Sequence, residues 1–136
     1  MNKAKCLALI PARGGSKRIV KKNIKMFCGQ PIISYPIKTS IESGCFDRVI
    51  VSTDDKEIAG IAEQHGAEVP FLRPVSLAGD LVPTIEVTRH AIKWCILNQV
   101  EVEFICVIYA TSALLTVEIL QESFAALSMR DDKDYA

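Results

Sequence analysis

The sequence predicts an α/β fold of three-layer, Rossmann-like type, in which helices cover both faces of a mostly parallel sheet. Four short apolar segments alternate with segments of helical periodicity, the order typical of βαβ units with right-handed crossovers. Three of the apolar segments are nearly continuous in apolar residues, as expected for strands buried on both faces. The 136 residues suffice for a single core, so we expect residues 1–136 to form one domain.

Each predicted element has a local signal. The strands are expected at residues 4–10, 48–53, 68–71 and 103–110. The helices are expected at residues 31–42, 54–65, 83–98 and 116–129. The third helix has a stripe of residues at helical spacing, which predicts one buried face. The stripe consists of Ile85, Thr88, Ala91, Ile92, Cys95 and Ile96.

Capping residues set the expected ends of the first two helices. Pro31 suits the first turn of a helix, where no amide hydrogen is needed, and Gly44 suits the C-cap. Asp54 stands three residues before Glu57, the spacing of a capping box, and Gly66 follows the second helix. We therefore predict that Asp54 caps the second helix, which favours a structural role over metal binding by this carboxylate and its neighbour.

The last residues predict an interrupted element. Residues 131–134 are charged and predict a turn, whereas Tyr135 and Ala136 resemble the first step of another strand. We therefore expect a domain whose C-terminal part is missing, or one whose last residues pair with something outside the chain.

Composition excludes several classes of protein. With 49% hydrophobic and 24% charged residues, the chain matches a folded soluble protein and not a disordered one. No apolar run approaches the ~20 residues of a membrane helix, and the run after Lys5 is too short for a signal peptide. The five cysteines are scattered and form neither a zinc pattern nor a CxxC pair, so we expect a cytoplasmic protein.

Positive charge is concentrated near the N-terminus. Residues 1–41 contain nine Lys or Arg and no acid, whereas residues 42–136 contain seven Lys or Arg and all sixteen acids. Five of the cations lie in residues 11–23, here called the basic loop, which contains Gly14 and Gly15 and follows the first predicted strand. Glycines let backbone amides approach a phosphate closely, and cations neutralise its charge. The basic loop therefore predicts a binding site for a polyanion.

The basic loop differs from two common phosphate-binding motifs, because it lacks both GxxxxGK[ST] and GxGxxG. Ligands of parallel α/β folds nevertheless bind beyond the carboxyl ends of strands, where this loop lies. A triphosphate placed there would meet the amides of Gly14, Gly15, Ser16 and Lys17, and the Ser16 hydroxyl would add a donor.

Three further side chains of the basic loop have suitable chemistry. Arg13 can donate two parallel hydrogen bonds to phosphate oxygens, and Lys22 supplies a point charge. Asn23 offers both a donor and an acceptor to a sugar hydroxyl or a base. Together they predict recognition of a nucleotide by its phosphates and its sugar or base.

Three alternatives remain open. The basic loop could be an ordinary surface loop with solvated lysines. It could bind nucleic acid, although no aromatic residue from Arg13 to Met26 offers a stacking surface. The domain could also be a non-catalytic module that oligomerises through an exposed sheet edge.

Several segments together resemble the cytidylyltransferases that activate nine-carbon acidic sugars, namely sialic, legionaminic and pseudaminic acids. The most specific is residues 10–23, followed by 46–55, by 71–74 with 77–80, and by 109–112. They span nearly the whole chain and occur in the family's order. The resemblance implies the nucleotide-diphospho-sugar transferase fold.

The resemblance also implies a reaction. The anomeric hydroxyl of a sugar acid attacks the α-phosphorus of CTP, which gives a CMP-sugar and pyrophosphate. Mg²⁺ is the implied cofactor and a homodimer the implied assembly. The family's metal-binding aspartates lie in its later half, which has no counterpart here. We therefore expect this chain to bind CTP or CMP weakly and, if it is all that is made, to lack full catalysis.

Individual residues acquire roles through the same resemblance. Arg13 and Lys22 correspond to catalytic residues of the family. The implied nucleotide-binding residues are Arg13, Gly14, Gly15, Ser16, Lys17, Lys22, Asn23, Arg73, Val82 and Thr84. The implied substrate-binding residues are Tyr109, Thr111 and Ser112. Tyr109 and Leu115 replace an amide and an arginine of sialic-acid-activating members, and the alanine and threonine after Tyr109 resemble the pseudaminic acid branch more closely. Asp80, in the loop from Arg73 to Pro83, is expected to be structural.

Overall fold

The computed structural model describes residues 5–129, in which strands alternate with helices. The strands are β1 (Cys6–Pro11), β2 (Met26–Phe27), β3 (Gln30–Pro31), β4 (Arg48–Ser52) and β5 (Phe104–Val107). The helices are α1 (Ser34–Ser43), α2 (Lys56–Gln64), α3 (Thr84–Leu97) and α4 (Val117–Ser128). Two 3-10 turns, Lys22–Ile24 and Val75–Leu77, precede β2 and α3.

The main sheet is parallel and has β1 at its centre. Its strand order is β4-β1-β5, and Leu9 of β1 lies opposite Ile50 on one side and Val107 on the other. Leu7, Leu9 and the other residues of β1 from Cys6 to Ile10 are buried, because helices cover both faces of the sheet. The predicted α/β fold with a parallel sheet is confirmed.

Alternate residues of the strands point into two separate cores. One core contains Ala8 and Ile10 of β1 and receives Ile37 of α1, Ile58 of α2 and Leu120 of α4. The opposite core contains Leu7, Leu9 and Ile50, and α3 fills it with Ala91 and Cys95. The result is the predicted three-layer arrangement, with α1, α2 and α4 on one face and α3 on the other.

The third predicted strand, at residues 68–71, does not form. Glu68 and Leu72 each make a single parallel bridge, to Ile50 and Thr53 respectively. Pro70 lies between them and has no amide hydrogen to donate, so a continuous ladder cannot form there.

A small hairpin replaces the predicted start of the first helix. Pro31 belongs to β3, which pairs antiparallel with β2, and α1 begins only at Ser34. Cys28 and Gly29 connect the two strands with φ of 48° and 87°, the pair of positive angles that type I′ hairpin turns require. The C-cap prediction is confirmed, because Gly44 ends α1 with a φ of 68°.

The N-cap of α2 is one residue later than predicted. Asp55 accepts hydrogen bonds from the amides of Glu57 (2.8 Å) and Ile58 (3.2 Å), so Asp55 caps the helix and the prediction for Asp54 was wrong. Asp54 instead accepts a hydrogen bond from the amide of Gly14, at 2.8 Å. The carboxylate nearest the strand end is thus used to hold the basic loop.

The remaining helices form close to their predicted bounds, but the predicted stripe of α3 is buried only in its middle, because Ile85 and Ile96 are exposed. α3 and α4 lie one residue inside each predicted end, and the Thr116 hydroxyl caps α4 by accepting from the Ile119 amide at 3.2 Å. The predicted turn and strand at residues 131–136 lie outside the described residues. Within residues 5–129, every helix is too short or too polar to span a bilayer.

Candidate functional site

A polar cleft of about 360 Å³ lies beyond the carboxyl ends of the strands. Residues that follow β1, residues that follow β5 and the first turns of α3 form its walls. It is lined by Pro11, Arg13, Lys22, Asn23, Arg73, Val82, Thr84, Val87, Tyr109, Ala110 and Thr111. The position is the one at which parallel α/β folds bind their ligands.

The cleft brings together most of the residues singled out from the sequence. Eight of them line it: Arg13, Lys22, Asn23, Arg73, Val82, Thr84, Tyr109 and Thr111. Five do not line it: Gly14, Gly15, Ser16, Lys17 and Ser112.

Three lining residues were not predicted, namely Pro11, Val87 and Ala110. Ala110 lies between the predicted residues Tyr109 and Thr111, Pro11 is two positions before Arg13 at the end of β1, and Val87 is one helical turn after Thr84. Two signals in the sequence could have identified these residues: the tendency of ligands to bind beyond the carboxyl ends of parallel strands, and the spacing of residues on one face of a helix.

The two ends of the basic loop are tied together inside the fold. The Asn23 side chain is buried, and its Nδ2 donates a hydrogen bond to the Arg13 carbonyl at 3.0 Å. Lys21 adopts a left-handed conformation and pairs through Nζ with Glu57, and with Asp55 at 3.8 Å. The hydrogen bond to Glu57 raises the pKa of Lys21. Lys22 follows with an exposed side chain at the cleft.

Gly14 fits where a side chain would not. Its amide donates a hydrogen bond to the Asp54 carboxylate, so in this structure it does not point into the cleft as a free donor. A Cβ atom on Gly14 would lie 2.6 Å from Oδ2 and 2.8 Å from Cβ of Asp55. The neighbouring Gly15 is open, with its nearest atom, Nη1 of Arg13, 4.0 Å from such a Cβ. Gly14 is therefore required for the close approach of the basic loop to the start of α2.

We expect Gly14→Ala to lower the free energy of unfolding by about 1–3 kcal/mol, because the new methyl group would displace the cap of α2. Gly15→Ala is the matched control and should change it by less than about 0.5 kcal/mol. Urea unfolding followed by circular dichroism measures both. Equal effects of the two substitutions would contradict this assignment.

Arg73 is the buried cation of the cleft. It is 6% exposed, and its Nη2 and Nε donate to the carbonyl (2.7 Å) and hydroxyl (3.2 Å) of Ser52, at the end of β4. Its Nη1 donates to the Leu77 carbonyl at 3.1 Å. Burial lowers the pKa of the Arg73 guanidinium, an effect that Asp54 opposes and Arg13 reinforces. Arg73 thus anchors the segment after residue 73 to the sheet and brings positive charge to the cleft floor.

Asp80 joins two cations of the basic loop. Its Oδ1 accepts from Nη1 of Arg13, and its Oδ2 lies 2.6 Å from Nζ of Lys17. Nη1 of Arg13 also donates to the Gly15 carbonyl at 3.0 Å. The hydrogen bonds from Lys17 and Arg13 lower the pKa of the Asp80 carboxyl. Asp80 is therefore a carboxylate at neutral pH, bound to two of the predicted phosphate ligands.

Within the part of the chain that the structure describes, no Asp, Glu, His or Cys side chain lines the cleft. No group of three or more His, Cys, Asp or Glu side chains that could hold one occurs between residues 5 and 129. The adjacent carboxylates of Asp54 and Asp55 already accept hydrogen bonds from backbone amides.

A second cavity has a different character. It is an apolar groove of about 200 Å³ between β5 and α4, and its walls include Phe46, Phe104, Phe124 and Leu127. No Lys, Arg, Asp or Glu lines it. Unlike the cleft at the strand ends, this groove therefore offers a polyanionic ligand no cationic partner among the described residues.

Comparison with known proteins decides the family. The sequence model described as Cytidylyltransferase matches residues 7–136. The chain belongs to the cytidylyltransferase family. The family predicted from the basic loop and the three later segments is confirmed, and the cytidylyltransferase match includes every residue of the cleft.

Individual cytidylyltransferases are similar over different lengths. The pseudaminic acid cytidylyltransferase of Campylobacter jejuni serotype O:2 is 40% identical over 129 residues, which cover 95% of this chain and 56% of that protein. The CMP-N,N'-diacetyllegionaminic acid synthase of Legionella pneumophila is 49% identical over 74 residues, or 54% of this chain and 32% of that protein. The chain therefore spans about half or less of the length of these relatives.

A solved structure supports the fold independently of sequence. A CMP:2-keto-3-deoxy-manno-octonic acid synthetase complexed with CTP superimposes with a TM-score of 0.74 at 19% identity. The match covers 95% of this cytidylyltransferase chain and 48% of that structure. It confirms the Rossmann-like cytidylyltransferase fold of the sheet and the helices around it.

Proposed function

We propose that the cleft binds CTP and that this domain serves the transfer of CMP to a nine-carbon sugar acid, pseudaminic acid in preference to sialic acid. The observation that carries the proposal is the convergence of Arg13, Lys22 and Arg73 on one polar cleft at the strand ends. Three cations around one cavity suit a ligand with several negative charges, as a triphosphate has.

The two walls of the cleft suit different parts of CTP. Arg13 and Lys22 come from the basic loop, and we assign them to the triphosphate and to the negative charge that develops on pyrophosphate as it leaves. Thr84, at the first turn of α3, offers a hydroxyl from the other wall, and we place the nucleoside between Thr84 and Asn23 of the basic loop. Asn23 lines the cleft while its Nδ2 donates to the Arg13 carbonyl at 3.0 Å.

The sugar acid is assigned to the end of β5. Tyr109 is 64% exposed, and Thr111 lines both the CTP cleft and an adjoining hollow that also contains Ser112 and Leu115. A substrate in that hollow would lie beside the α-phosphate end of the cleft. The similarity to a pseudaminic acid cytidylyltransferase along almost the whole chain supports pseudaminic acid as the sugar.

The proposed reaction is a displacement at phosphorus. The anomeric oxygen of the sugar acid forms a bond to the α-phosphorus of CTP, and the bond from that phosphorus to the oxygen bridging to the β-phosphate breaks. Pyrophosphate leaves with the electron pair, and the hydroxyl proton is released. Residues of this chain orient the phosphates and stabilise charge, which is the main catalytic contribution in phosphoryl transfer.

Calorimetric titration of the folded 136-residue chain with CTP tests the binding proposal. We expect saturable one-to-one binding of CTP and weaker binding of UTP and ATP under the same conditions. A short duplex oligonucleotide should bind more weakly than CTP and fail to displace it. A folded protein that gives no heat with CTP, or that binds the duplex more tightly, would contradict the proposal.

Assembly and compartment are further parts of the proposal. We propose a homodimer by analogy with the family, to be measured by multi-angle light scattering with and without CTP. Cys28, Cys45, Cys95 and Cys106 carry thiols and form no disulfide, which supports a reducing compartment such as the cytoplasm.

A further inference from the structure

Asp80 forms ion pairs with Arg13 and Lys17, two residues predicted to bind phosphate. One carboxylate oxygen binds Arg13, which lines the cleft, and the other binds Lys17, whose side chain is 83% exposed. Asp80 is separated from Arg13 by 67 positions in the sequence. The contact therefore joins the basic loop to the segment before α3, here called the 74–83 segment.

The 74–83 segment has little else to hold it in place. Val75 and Leu81 are 92% and 96% exposed. Its backbone hydrogen bonds are local, for example from the Ala78 amide to the Val75 carbonyl at 3.1 Å and from the Val82 amide to the Gly79 carbonyl at 3.3 Å. Segments with few buried contacts open with a low free energy. Arg73 fixes one end of the segment and α3 the other, so Asp80 holds its middle against the basic loop.

We propose that Asp80 is a built-in counter-anion, which occupies Arg13 and Lys17 until a polyphosphate displaces it and releases residues 78–82 from the basic loop. The inference rests on the proposed function for the identity of the nucleotide. It goes beyond that function by assigning to Asp80 control over how tightly polyphosphates bind.

Charge decides the direction of the effect. A triphosphate carries several negative charges and many acceptor oxygens, whereas Asp80 carries one charge and two oxygens, so the triphosphate wins the competition for the two cations. Binding must nevertheless break two ion pairs of Asp80 and bring negative charge close to its carboxylate. The repulsion grows with the number of phosphates on the ligand, and a monophosphate need not displace both ion pairs of Asp80.

Asp80→Asn removes the charge and keeps the shape, so the variant should bind CTP and inorganic tripolyphosphate about three- to tenfold more tightly than the parent chain. Binding of CMP should change by less than twofold. Asp80→Glu retains the carboxylate and should restore the affinity of the parent chain. Glu86→Gln is the matched control, because it neutralises an exposed acid of α3 that pairs with Arg89 outside the cleft.

Calorimetry with the three ligands is combined with hydrogen exchange of the ligand-free proteins. The amides of residues 78–82 should exchange faster in Asp80→Asn than in the parent chain, and tripolyphosphate should accelerate their exchange in the parent chain. Tighter tripolyphosphate binding without any CTP preference would support the counter-anion and contradict the proposed nucleotide. Unchanged or weaker binding of both polyphosphates by Asp80→Asn, or absence of any polyphosphate binding, would overturn the inference.

Discussion

Replacement of Arg73 by alanine is expected to lower the free energy of unfolding by about 3 kcal/mol, and the melting temperature by about 10 °C. The guanidinium donates through all three of its nitrogens, to Ser52 twice and to Leu77 once. Its loss would leave the buried Ser52 hydroxyl without this partner and would open a cavity at the end of β4. Urea unfolding followed by circular dichroism gives the change directly.

Two further variants make this prediction specific. Arg73→Lys keeps the charge but cannot reproduce the three-way donation, so its stability should fall between those of the parent and the alanine variant. Arg89→Ala removes an exposed arginine of α3 that pairs with Glu86 and should change stability by less than about 0.5 kcal/mol. Similar losses for Arg73→Ala and Arg89→Ala would show that the buried contacts do not stabilise the fold.

Lys22→Ala should weaken CTP binding by about tenfold or more while leaving the melting temperature within about 2 °C. The Lys22 side chain is exposed at the cleft, so the fold should lose little with it. A hydrogen bond between a charged amine and a phosphate contributes about 1.5–3 kcal/mol, and 1.4 kcal/mol corresponds to a factor of ten in affinity. Calorimetry at constant ionic strength measures the loss.

The control for Lys22 is another exposed lysine. Lys38→Ala removes a cation of α1 that pairs with Glu42 outside the cleft, and it should leave CTP affinity within twofold. Arg13→Ala is less clean, because it also breaks the contacts of Arg13 with Asp80 and Gly15. Equal losses for Lys22→Ala and Lys38→Ala would indicate a general effect of net charge and contradict a phosphate site at Lys22.

The elements that sequence reasoning predicted well are those fixed by local pattern. β1 and β4 are nearly continuous apolar runs and are buried as predicted, and the middle of the predicted α3 stripe, at Ala91 and Cys95, packs into the core, whereas its ends at Ile85 and Ile96 are exposed. The β2–β3 hairpin was missed because its strands have two residues each, and Cys28 supplies a left-handed conformation that the sequence does not signal. Pro31 therefore predicted the start of α1, whereas in the structure it belongs to β3 of the hairpin.

Tertiary contacts determine features that residue spacing alone does not predict, such as the N-cap of α2 and the composition of the cleft. Asp54 and Asp55 both stand where a cap of α2 could be, and the amide of Gly14, 40 positions earlier, determines which of them turns to the basic loop. The convergence of Lys22, Thr84 and Tyr109 on one cleft followed from the resemblance, since their separations in sequence do not predict it. The ion pairs of Asp80 with Arg13 and Lys17 could not be predicted from the sequence, because Asp80 and Arg13 are 67 positions apart and no local spacing relates them.

Amide chemical-shift mapping of the ¹⁵N-labelled chain during titration with CTP tests the central claim most directly. The largest shifts should fall on residues 13, 22, 23, 82, 84 and 109–111, which line the cleft at the strand ends, and on residues 14–16, which follow Arg13 in the basic loop. Residues of the apolar groove between β5 and α4, such as Phe104 and Phe124, should be unaffected. Saturating shifts confined to that groove, or no shifts at millimolar CTP in a folded protein, would contradict a CTP site in this cleft.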